Sequence, residues 1–385
     1  MRILLITGEY PPMQGGVADY TRELARALAR RHHEIGILTS TRATPSPSDP
    51  GISHFPQISR WGWNLWDELD AFLAHWQPDV IHFQYQTAAY AMHPALNLWA
   101  WRPWSQHPRS LTAVTFHDLL PPYLFPKAHW LGLRNWVTHT LARSLDIAIT
   151  TNPEDTAQLQ AIRPDTQEIP IGSNIADATP PHFQRETWRA HWGLPANAPV
   201  ICYFGFLNAS KGGEMLVDVL KNLVDQGQDA HLLMIGGRVG ASDPTNDTYL
   251  QKVEARIHTA HLAQRVHWTD HIPHAQVSAA FHCADVCLLP YQDGASYRRG
   301  SFMAALTHGM PIVTTPPQVP YPELMHGQNV LLAPAHDVRA QSNAVAQLLS
   351  DENQRQLLGQ NARQLARKFS WDAIAAAHLR TYETA

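Results

Sequence analysis

The order of strand, polar loop and helix at the start of the chain constrains the fold more than any other feature of the sequence. Residues 3–7 form a short, fully apolar run, and a turn-rich loop that contains Gly15 and Gly16 follows it. An amphipathic helical pattern then covers about residues 18–31, and a second apolar run returns at residues 34–38. Short apolar runs are typical of buried parallel strands, and their alternation with helices favours a doubly wound sheet.

The same order recurs after a proline-rich stretch at residues 169–199. Residues 200–206 form an apolar run, a loop with Lys211 comes next, and residues 214–225 carry a helical pattern. A length of 385 residues suits two or three domains. The other predicted strands are residues 80–83, 113–116, 147–150, 232–235, 266–268, 286–289 and 312–314. The sequence therefore predicts an α/β fold with two Rossmann-like, doubly wound halves that bind ligands at the carboxyl ends of their strands.

Charge and cysteine content exclude several classes of protein. Lysine and arginine total 29 against 33 aspartate and glutamate residues, so the formal net charge is −4. A nucleic-acid partner is not expected, because phosphate neutralisation needs a basic balance or stripe. The three cysteines are too few for a disulfide framework. His282, Cys283 and Cys287 lie close together, but the lack of a second ligand pair with zinc spacing favours buried core cysteines over a metal site.

The expected location is the cytoplasm. No apolar stretch reaches 18 residues, and the apolar start of the chain is too short for a signal peptide. Nine of the 13 tryptophans lie between Trp61 and Trp136. Indoles outside the core stack on sugars or anchor at membrane interfaces, so peripheral contact with the inner face of a membrane stays open.

The loops after the first strand of each half carry candidate anion ligands. Gly15 and Gly16 precede a helix start, where free backbone N–H groups and the helix dipole favour an anion; a simple turn is the alternative. Lys211 lies in the corresponding loop of the second half, before Gly212 and Gly213. A lysine at a helix start is unfavourable for the dipole, which suggests an external anionic partner, and a solvated surface lysine is the alternative.

A histidine and a carboxylate follow the predicted strand at residues 113–116. There the imidazole of His117 could exchange hydrogen bonds with a sugar hydroxyl or a leaving oxygen, and Asp118 could set its tautomer. A histidine that only caps the strand is the alternative.

Two arginines precede a predicted helix. Arg298 and Arg299 come directly before Gly300 and Ser301, and Ser301 is expected to cap the helix. Two guanidinium groups beside a helix start make a phosphate site, whereas a solvated pair is the alternative.

Three common nucleotide or metal motifs are absent from the sequence. The G-x-G-x-x-G fingerprint is missing, which disfavours a dinucleotide-dependent oxidoreductase. The G-x-x-x-x-G-K-[ST] loop is missing too, and no D-x-D pair follows a strand. We therefore expect no metal and no cofactor.

Together these motifs resemble glycosyltransferase family 4. The segments that carry the resemblance are the opening with Gly15 and Gly16, Phe116-His117-Asp118, residues 204–207 with Lys211-Gly212, residues 233–236, residues 308–315 and residues 369–382. The resemblance covers nearly the whole chain in the right order. It implies a GT-B fold, in which two Rossmann-like domains face each other across a cleft. Residues 1–175 would bind the acceptor and residues 176–370 the nucleotide sugar, while residues 371–385 cross back to the first domain.

The resemblance also implies an activity. The family transfers a hexosyl group from a nucleotide-diphosphate sugar to a hydroxyl of a glycan, lipid-linked or small-molecule acceptor, with retention and without a metal, as in cell-envelope or polysaccharide biosynthesis. Gly16 would contact the donor through its backbone N–H, His117 would bind the donor sugar near the reacting carbon, and Lys211 would hold the diphosphate. Donors preorganised at the developing charge of the leaving group are usually the largest catalytic contribution.

One departure from the family concerns the diphosphate. The family usually has an arginine directly after the glycine of the second-domain loop, where this chain has Phe206. Arginine binds phosphate oxygens bidentately, so we expect at least one of Arg298 and Arg299 to replace the missing cation.

A second departure concerns the donor sugar and ribose. The two glutamates of the family's E-x7-E pair fall at Ser296 and Ala304, and Asp293 is a candidate for the first of them. These losses leave open a non-catalytic nucleotide-sugar-binding partner protein as a second hypothesis. An NAD-dependent oxidoreductase is a third.

Overall fold

Each half of the chain is built on a single sheet of parallel strands, which confirms the predicted α/β class. The computed structural model describes residues 1–13, 15–43, 49–99, 110–119, 133–238 and 245–385. The chain divides into two compact units, Met1–Asn174 with Phe369–Ala385, and Ile175–Lys368.

The first unit has a seven-stranded sheet. Its strands are β1 (Arg2–Thr7), β2 (Glu34–Ser40), β3 (Ile52–Ile58), β4 (Val80–Tyr85), β5 (Leu111–Phe116), β6 (Ile147–Thr150) and β7 (Gln167–Glu168). They lie in the order β3-β2-β1-β4-β5-β6-β7, and neighbouring strands are parallel. Leu4 and Ile6 pack on one face of the sheet while Ile3 and Leu5 pack on the other, which explains why β1 is apolar throughout.

Strand β3 is the one long strand of this sheet that the sequence pattern did not predict. It contains Pro56, and its residues are mostly exposed or partly buried rather than forming a buried apolar run. It lies at the sheet edge, where a proline is tolerated because no partner needs its missing N–H.

The second unit has a six-stranded sheet. Its strands are β8 (Val200–Phe204), β9 (His231–Ile235), β10 (Val266–Trp268), β11 (Val286–Leu289), β12 (Ile312–Thr314) and β13 (Leu331–Leu332). They lie in the order β10-β9-β8-β11-β12-β13, and neighbouring strands are parallel. The predicted strand 200–206 ends two residues early, because Gly205 adopts a φ of +119° that turns the chain out of the sheet.

Helices separate the strands in both units. They are α1 (Gly16–Arg30), α2 (Leu65–Trp76), α3 (Ala95–Trp99), α4 (Leu133–Ser144), α5 (Pro153–Gln160), α6 (Arg185–His191), α7 (Gly213–Asp225), α8 (Thr245–Thr259), α9 (His274–Cys283), α10 (Gly300–Thr307), α11 (Val338–Ser350), α12 (Glu352–Ala366) and α13 (Trp371–Thr384). Short 3₁₀ turns cover Thr87–Tyr90, Ala209–Lys211 and Arg367–Phe369. Helix α13 belongs to the first unit, where Trp371 Nε1 donates to the carbonyl of Ser173 at 2.7 Å.

The buried cysteines behave as core residues. Cys202, Cys283 and Cys287 carry free thiols and are fully buried, and the described part of the chain contains no group of three or more metal-ligating side chains. Among the described residues, no helix is long and apolar enough to cross a membrane.

The tryptophans of the first unit divide between core and surface. Trp61, Trp76 and Trp99 are buried, whereas Trp63 and Trp136 are exposed. The predictions for Trp101, Trp104 and Trp130 lie outside the described residues.

Candidate functional site

Each sheet has a point at which the strand order reverses. In the second unit this switch lies between β8 and β11. From there the sheet adds β9 and β10 on one side and β12 and β13 on the other. Ligands of open α/β sheets bind outside the carboxyl ends of the two strands at such a point. The loops after β8 and β11 are therefore expected to form the ligand site of this unit.

The backbone brings these two loops into contact. Asn208 caps the 3₁₀ turn that carries Lys211, accepting from the Lys211 N–H at 3.1 Å. Gly212 then adopts a left-handed conformation, and a β-carbon there would lie only 2.1 Å from the carbonyl oxygen of Pro290. The Gln292 N–H also donates to the carbonyl of Ser210 at 2.8 Å. A glycine is thus required at position 212 for the β8 loop to lie against the β11 loop.

The ammonium of Lys211 is largely buried in this junction. A β-carbon at Gly205 would lie 3.5 Å from Lys211 Nζ and 3.7 Å from Ser301 Cβ, so the absence of a side chain leaves space between them. Burial, and then the nearby charge of Arg299, lower the pKa of Lys211 to about 8. No described residue accepts a hydrogen bond from Lys211 Nζ. An anion at this point would relieve both effects.

Arg299 is the second cation of the junction. Its guanidinium lies 4.2 Å from the ring centroid of Tyr291 and pairs with Asp293. The side chain is 17% exposed, and its Nε is buried without a hydrogen-bond partner among the described residues. Arg298, by contrast, is exposed. The structure therefore brings Lys211 and Arg299 together and leaves Arg298 at the surface.

The prediction that Ser301 caps α10 is wrong. The N-cap residue is Arg299, which makes no capping bond through its side chain, and α10 begins at Gly300. Ser301 instead shares a 2.6 Å hydrogen bond with the hydroxyl of Tyr291, and this contact ties α10 to the loop after β11. Asp293, in the loop after β11, forms an ion pair with Arg299.

In the first unit, a carboxylate of the chain itself reaches the glycine loop. Glu9 lies against Gly15, and its Oε1 accepts from the Ala18 N–H at 3.4 Å. Burial raises the pKa of Glu9, although hydrogen bonds from the Ala18 and Val17 N–H groups act in the opposite direction. The first turn of α1 thus already holds a partly buried carboxylate. Gly16 keeps open space around it, since apart from its chain neighbours and the backbone of its own helix no described heavy atom lies within 4 Å of where its β-carbon would be.

His117 is held by a residue that sequence reasoning missed. Its Nε2 lies 3.1 Å from Oε1 of Gln84, and the edge of the Tyr20 ring packs against the imidazole with centroids 4.6 Å apart. Gln84 is fully buried on β4, and its Nε2 has no hydrogen-bond partner among the described residues. Asp118 follows, partly buried, at the same carboxyl edge of the sheet.

A layer of buried polar groups lies beneath His117. His82 Nδ1 lies 2.6 Å from the Tyr382 hydroxyl of α13, and His82 Nε2 lies 2.8 Å from the Thr115 hydroxyl. The His378 ring approaches the hydroxyl of Tyr20 at 3.4 Å. Burial lowers the pKa of His82 well below its usual value and that of His378 to about 4. These histidines are therefore neutral hydrogen-bonding groups that position α13.

The sequence contained a signal for this layer. Strand β4 is buried along its whole length, yet two of its residues are His82 and Gln84. Both point to the same face, because they are two positions apart in a strand. Polar side chains at alternate positions of a buried strand require partners, so they indicate a polar layer under the carboxyl edge.

Two units, each built on a parallel sheet with a switch point, form the GT-B fold. Solved structures share the fold. HepE from Anabaena, in complex with UDP and glucose, aligns with a TM-score of 0.73 at 18% identity over all of both chains. Sucrose-phosphate synthase from Thermosynechococcus elongatus aligns with a TM-score of 0.70 at 24% identity, covering 100% of this chain and 98% of the other.

Family models and curated relatives give the same class. A model described as "Glycosyl transferase 4-like domain" matches residues 15–172, and one described as "Glycosyl transferases group 1" matches residues 184–365. The D-inositol 3-phosphate glycosyltransferase of Xylanimonas cellulosilytica is 27% identical over 96% of this chain and 92% of its own length. The phosphatidyl-myo-inositol mannosyltransferase of Mycobacterium leprae is 23% identical over 100% of this chain and 97% of its own length. The chain belongs to this family of group 1, family 4-like glycosyltransferases.

Proposed function

We propose that the protein transfers a hexosyl group from a nucleotide-diphosphate sugar to a hydroxyl group with retention of configuration. The observation that carries this proposal is the largely buried ammonium of Lys211, which lies at the switch point beside a second cation and has no acceptor among the described residues. A largely buried charge is stabilised by an opposite charge, so this site favours an anionic ligand. The diphosphate of a nucleotide sugar supplies that anion.

The leaving group explains why cations are needed. As the bond between the anomeric carbon and the diphosphate oxygen breaks, negative charge builds on the diphosphate and positive charge builds on the sugar ring. The acceptor oxygen then bonds to the same carbon on the face that the diphosphate leaves, and its proton departs with the diphosphate. Lys211 stabilises the charge on the leaving group, in a position fixed before the reaction begins.

The first unit supplies the remaining roles in this proposal. His117, held by Gln84, exchanges a hydrogen bond with a hydroxyl of the donor sugar, and Asp118 lies next to it. Gly16 contacts the donor through its backbone N–H, and Gly15 permits the close packing of Glu9. In the second unit, Gly300 and Ser301 begin the helix that faces the donor.

We propose that no metal and no cofactor takes part. The cationic side chains perform the neutralisation that a divalent ion performs in metal-dependent transferases. Transfer measured in excess EDTA should equal transfer without it. An absolute requirement for Mn²⁺ or Mg²⁺, restored on addition of the ion, would contradict this part of the proposal.

The acceptor is proposed from the curated relatives. Their names give an inositol phosphate in one case and a phosphatidylinositol in another, so both a small polyol and a lipid-linked polyol fit. A panel of inositol, inositol phosphates, phosphatidylinositol vesicles and simple glycans separates these acceptors. The lipid-linked case would place the enzyme in the cytoplasm at the inner face of a membrane, where the exposed indole of Trp63 is available for contact.

A ligand screen tests the proposal against its alternatives. Thermal unfolding is measured with UDP, GDP, ADP, TDP and NAD, because a ligand of the native state raises the midpoint. One nucleoside diphosphate should stabilise the wild type, and Lys211→Ala should reduce the effect. Stabilisation by NAD alone would favour an oxidoreductase. Binding of a nucleotide sugar without turnover on any acceptor would favour a non-catalytic partner protein, a hypothesis supported by Ser296 and Ala304 in place of the expected glutamates.

A further inference from the structure

The loop after β8 contributes a single cation, Lys211, to the junction. Phe206 directly follows Gly205, where the family resemblance implies an arginine, and the residue is 43% exposed. It lies against Gly237, where a β-carbon would approach the ring to 2.8 Å. The phenyl ring therefore has a fixed place on the backbone of Gly237 and contributes no charge. A diphosphate carries more than one negative charge, so a second cation beside Lys211 would strengthen its binding.

Arg299 reaches the same junction from the loop after β11. Its guanidinium is supported on one side by the face of Tyr291, and Tyr291 is in turn bonded to Ser301 at 2.6 Å. The Nη2 group of Arg299 donates a hydrogen bond to Oδ1 of Asp293. The buried Nε has no partner among the described residues, so the guanidinium retains an unused donor. Tyr291 and Asp293 therefore hold the side chain of Arg299 in place, unlike that of a solvated surface arginine.

The positive charge of Arg299 affects the pKa of Lys211. After burial, Arg299 is the cause that lowers the pKa of the Lys211 ammonium. Two like charges in a largely buried junction repel each other, and Asp293 compensates only one of them. The junction therefore keeps a net positive charge close to the space left open by Gly205.

We propose that Arg299 is the second diphosphate ligand of the donor site and takes the place of the missing arginine at position 206. This proposal rests on the proposed function. Asp293 and Tyr291 are positioning residues that hold the guanidinium of Arg299. Arg298, its neighbour in sequence, takes no part.

The test compares Arg299→Ala with Arg298→Ala, which removes the same side chain one position earlier. Titration calorimetry measures the affinity of each variant for UDP or GDP, whichever the wild type binds more tightly, and for the corresponding nucleoside. Arg299→Ala should weaken nucleoside diphosphate binding at least tenfold while the affinity for the nucleoside stays within about twofold, since a lost charged hydrogen bond has effects of this size. Arg298→Ala should leave both affinities within about twofold. Equal affinities in Arg299→Ala and Arg298→Ala would overturn the proposal.

A second-site variant guards against a general loss of structure. In the Arg299→Ala background, Phe206→Arg should restore at least part of the lost diphosphate affinity, because it returns a cation to the opposite loop. A merely structural role of Arg299 would give no such rescue, and that outcome would count against the proposal. If the wild type binds no nucleoside diphosphate, the proposed function fails. If Lys211→Ala weakens binding and Arg299→Ala does not, only the role of Arg299 fails.

Discussion

Binding of a nucleoside diphosphate should weaken as the pH rises above about 8. The reason is that the pKa of Lys211 is lowered to about 8 in the protein without ligand, by burial and by Arg299. A bound diphosphate favours the charged ammonium and raises this pKa again. Proton binding and ligand binding are therefore linked, and the ligand prefers the protonated form.

The magnitude follows from that pKa. At pH 7 nearly all of the Lys211 side chains are charged, whereas at pH 9 only about one in ten is charged. If the bound pKa returns to near its usual value, the affinity falls about tenfold between pH 7 and pH 9, or about 1.4 kcal/mol. At pH 8 binding should take up about half a proton per site.

Titration calorimetry measures both quantities. Affinities are taken at pH 7 and pH 9, and the proton uptake at pH 8 comes from two buffers with different ionisation enthalpies. Lys211→Ala is the matched control, because ionisation of the nucleotide itself is the same for both proteins. A wild-type affinity that is flat across this range, or that changes as much as in Lys211→Ala, would refute the assignment of Lys211 to the diphosphate.

Three further predictions concern other residues. His117→Ala should lower kcat about tenfold to a hundredfold with a smaller change in donor KM, as for a hydrogen bond that strengthens in the transition state; a change in KM alone, in steady-state kinetics, would make His117 a binding residue only. Gln84→Leu should also lower kcat, and Gln84→Glu should retain more activity than Gln84→Leu. Thr115→Val, which loses a contact with a different histidine, should change kcat little. Equal effects of Gln84→Leu and Thr115→Val on kcat would argue against positioning of His117 by Gln84. Gly212→Ala should destabilise the fold by at least about 1–2 kcal/mol in denaturant unfolding, because left-handed backbone is costly for a residue with a β-carbon; an unchanged midpoint would contradict the close approach of the two loops.

The sheets were predictable because burial on both faces makes a strand visible in the sequence. Strand β1 is apolar in every central position, and the helix after it has a regular apolar face. Strand β3 was not predictable in this way, since an edge strand contains polar residues and a proline. Local pattern therefore detects the centre of a sheet better than its edge.

The candidate site was only partly predictable. Lys211 and the arginine pair stood out because they occur in loops after predicted strands, where ligands bind. Which arginine turns inward depends on Tyr291 and Asp293, and those contacts are formed by packing that no local pattern shows. The expectation for Ser301 failed for the same reason, because its hydroxyl bonds to Tyr291 rather than to its own helix.

The contact between His117 and Gln84 joins two strands that are adjacent in the sheet and 33 positions apart in sequence. The polar residues of β4 signalled that a buried partner was needed, but not which one. Glu9 is a similar case, because its carboxylate returns to the start of α1 only after the loop has folded. Long-range pairing of this kind needs the structure.

The most direct test of the proposed function is transfer itself, measured with the purified protein and a nucleotide sugar of the preferred base. We expect release of nucleoside diphosphate together with a new glycoside on the acceptor, whose anomeric configuration by NMR is that of the donor. Lys211→Ala should lose most of this transfer while keeping the unfolding midpoint of the wild type. Transfer with inverted configuration, or transfer by Lys211→Ala equal to that of the wild type, would contradict the central claim that a diphosphate leaves against Lys211.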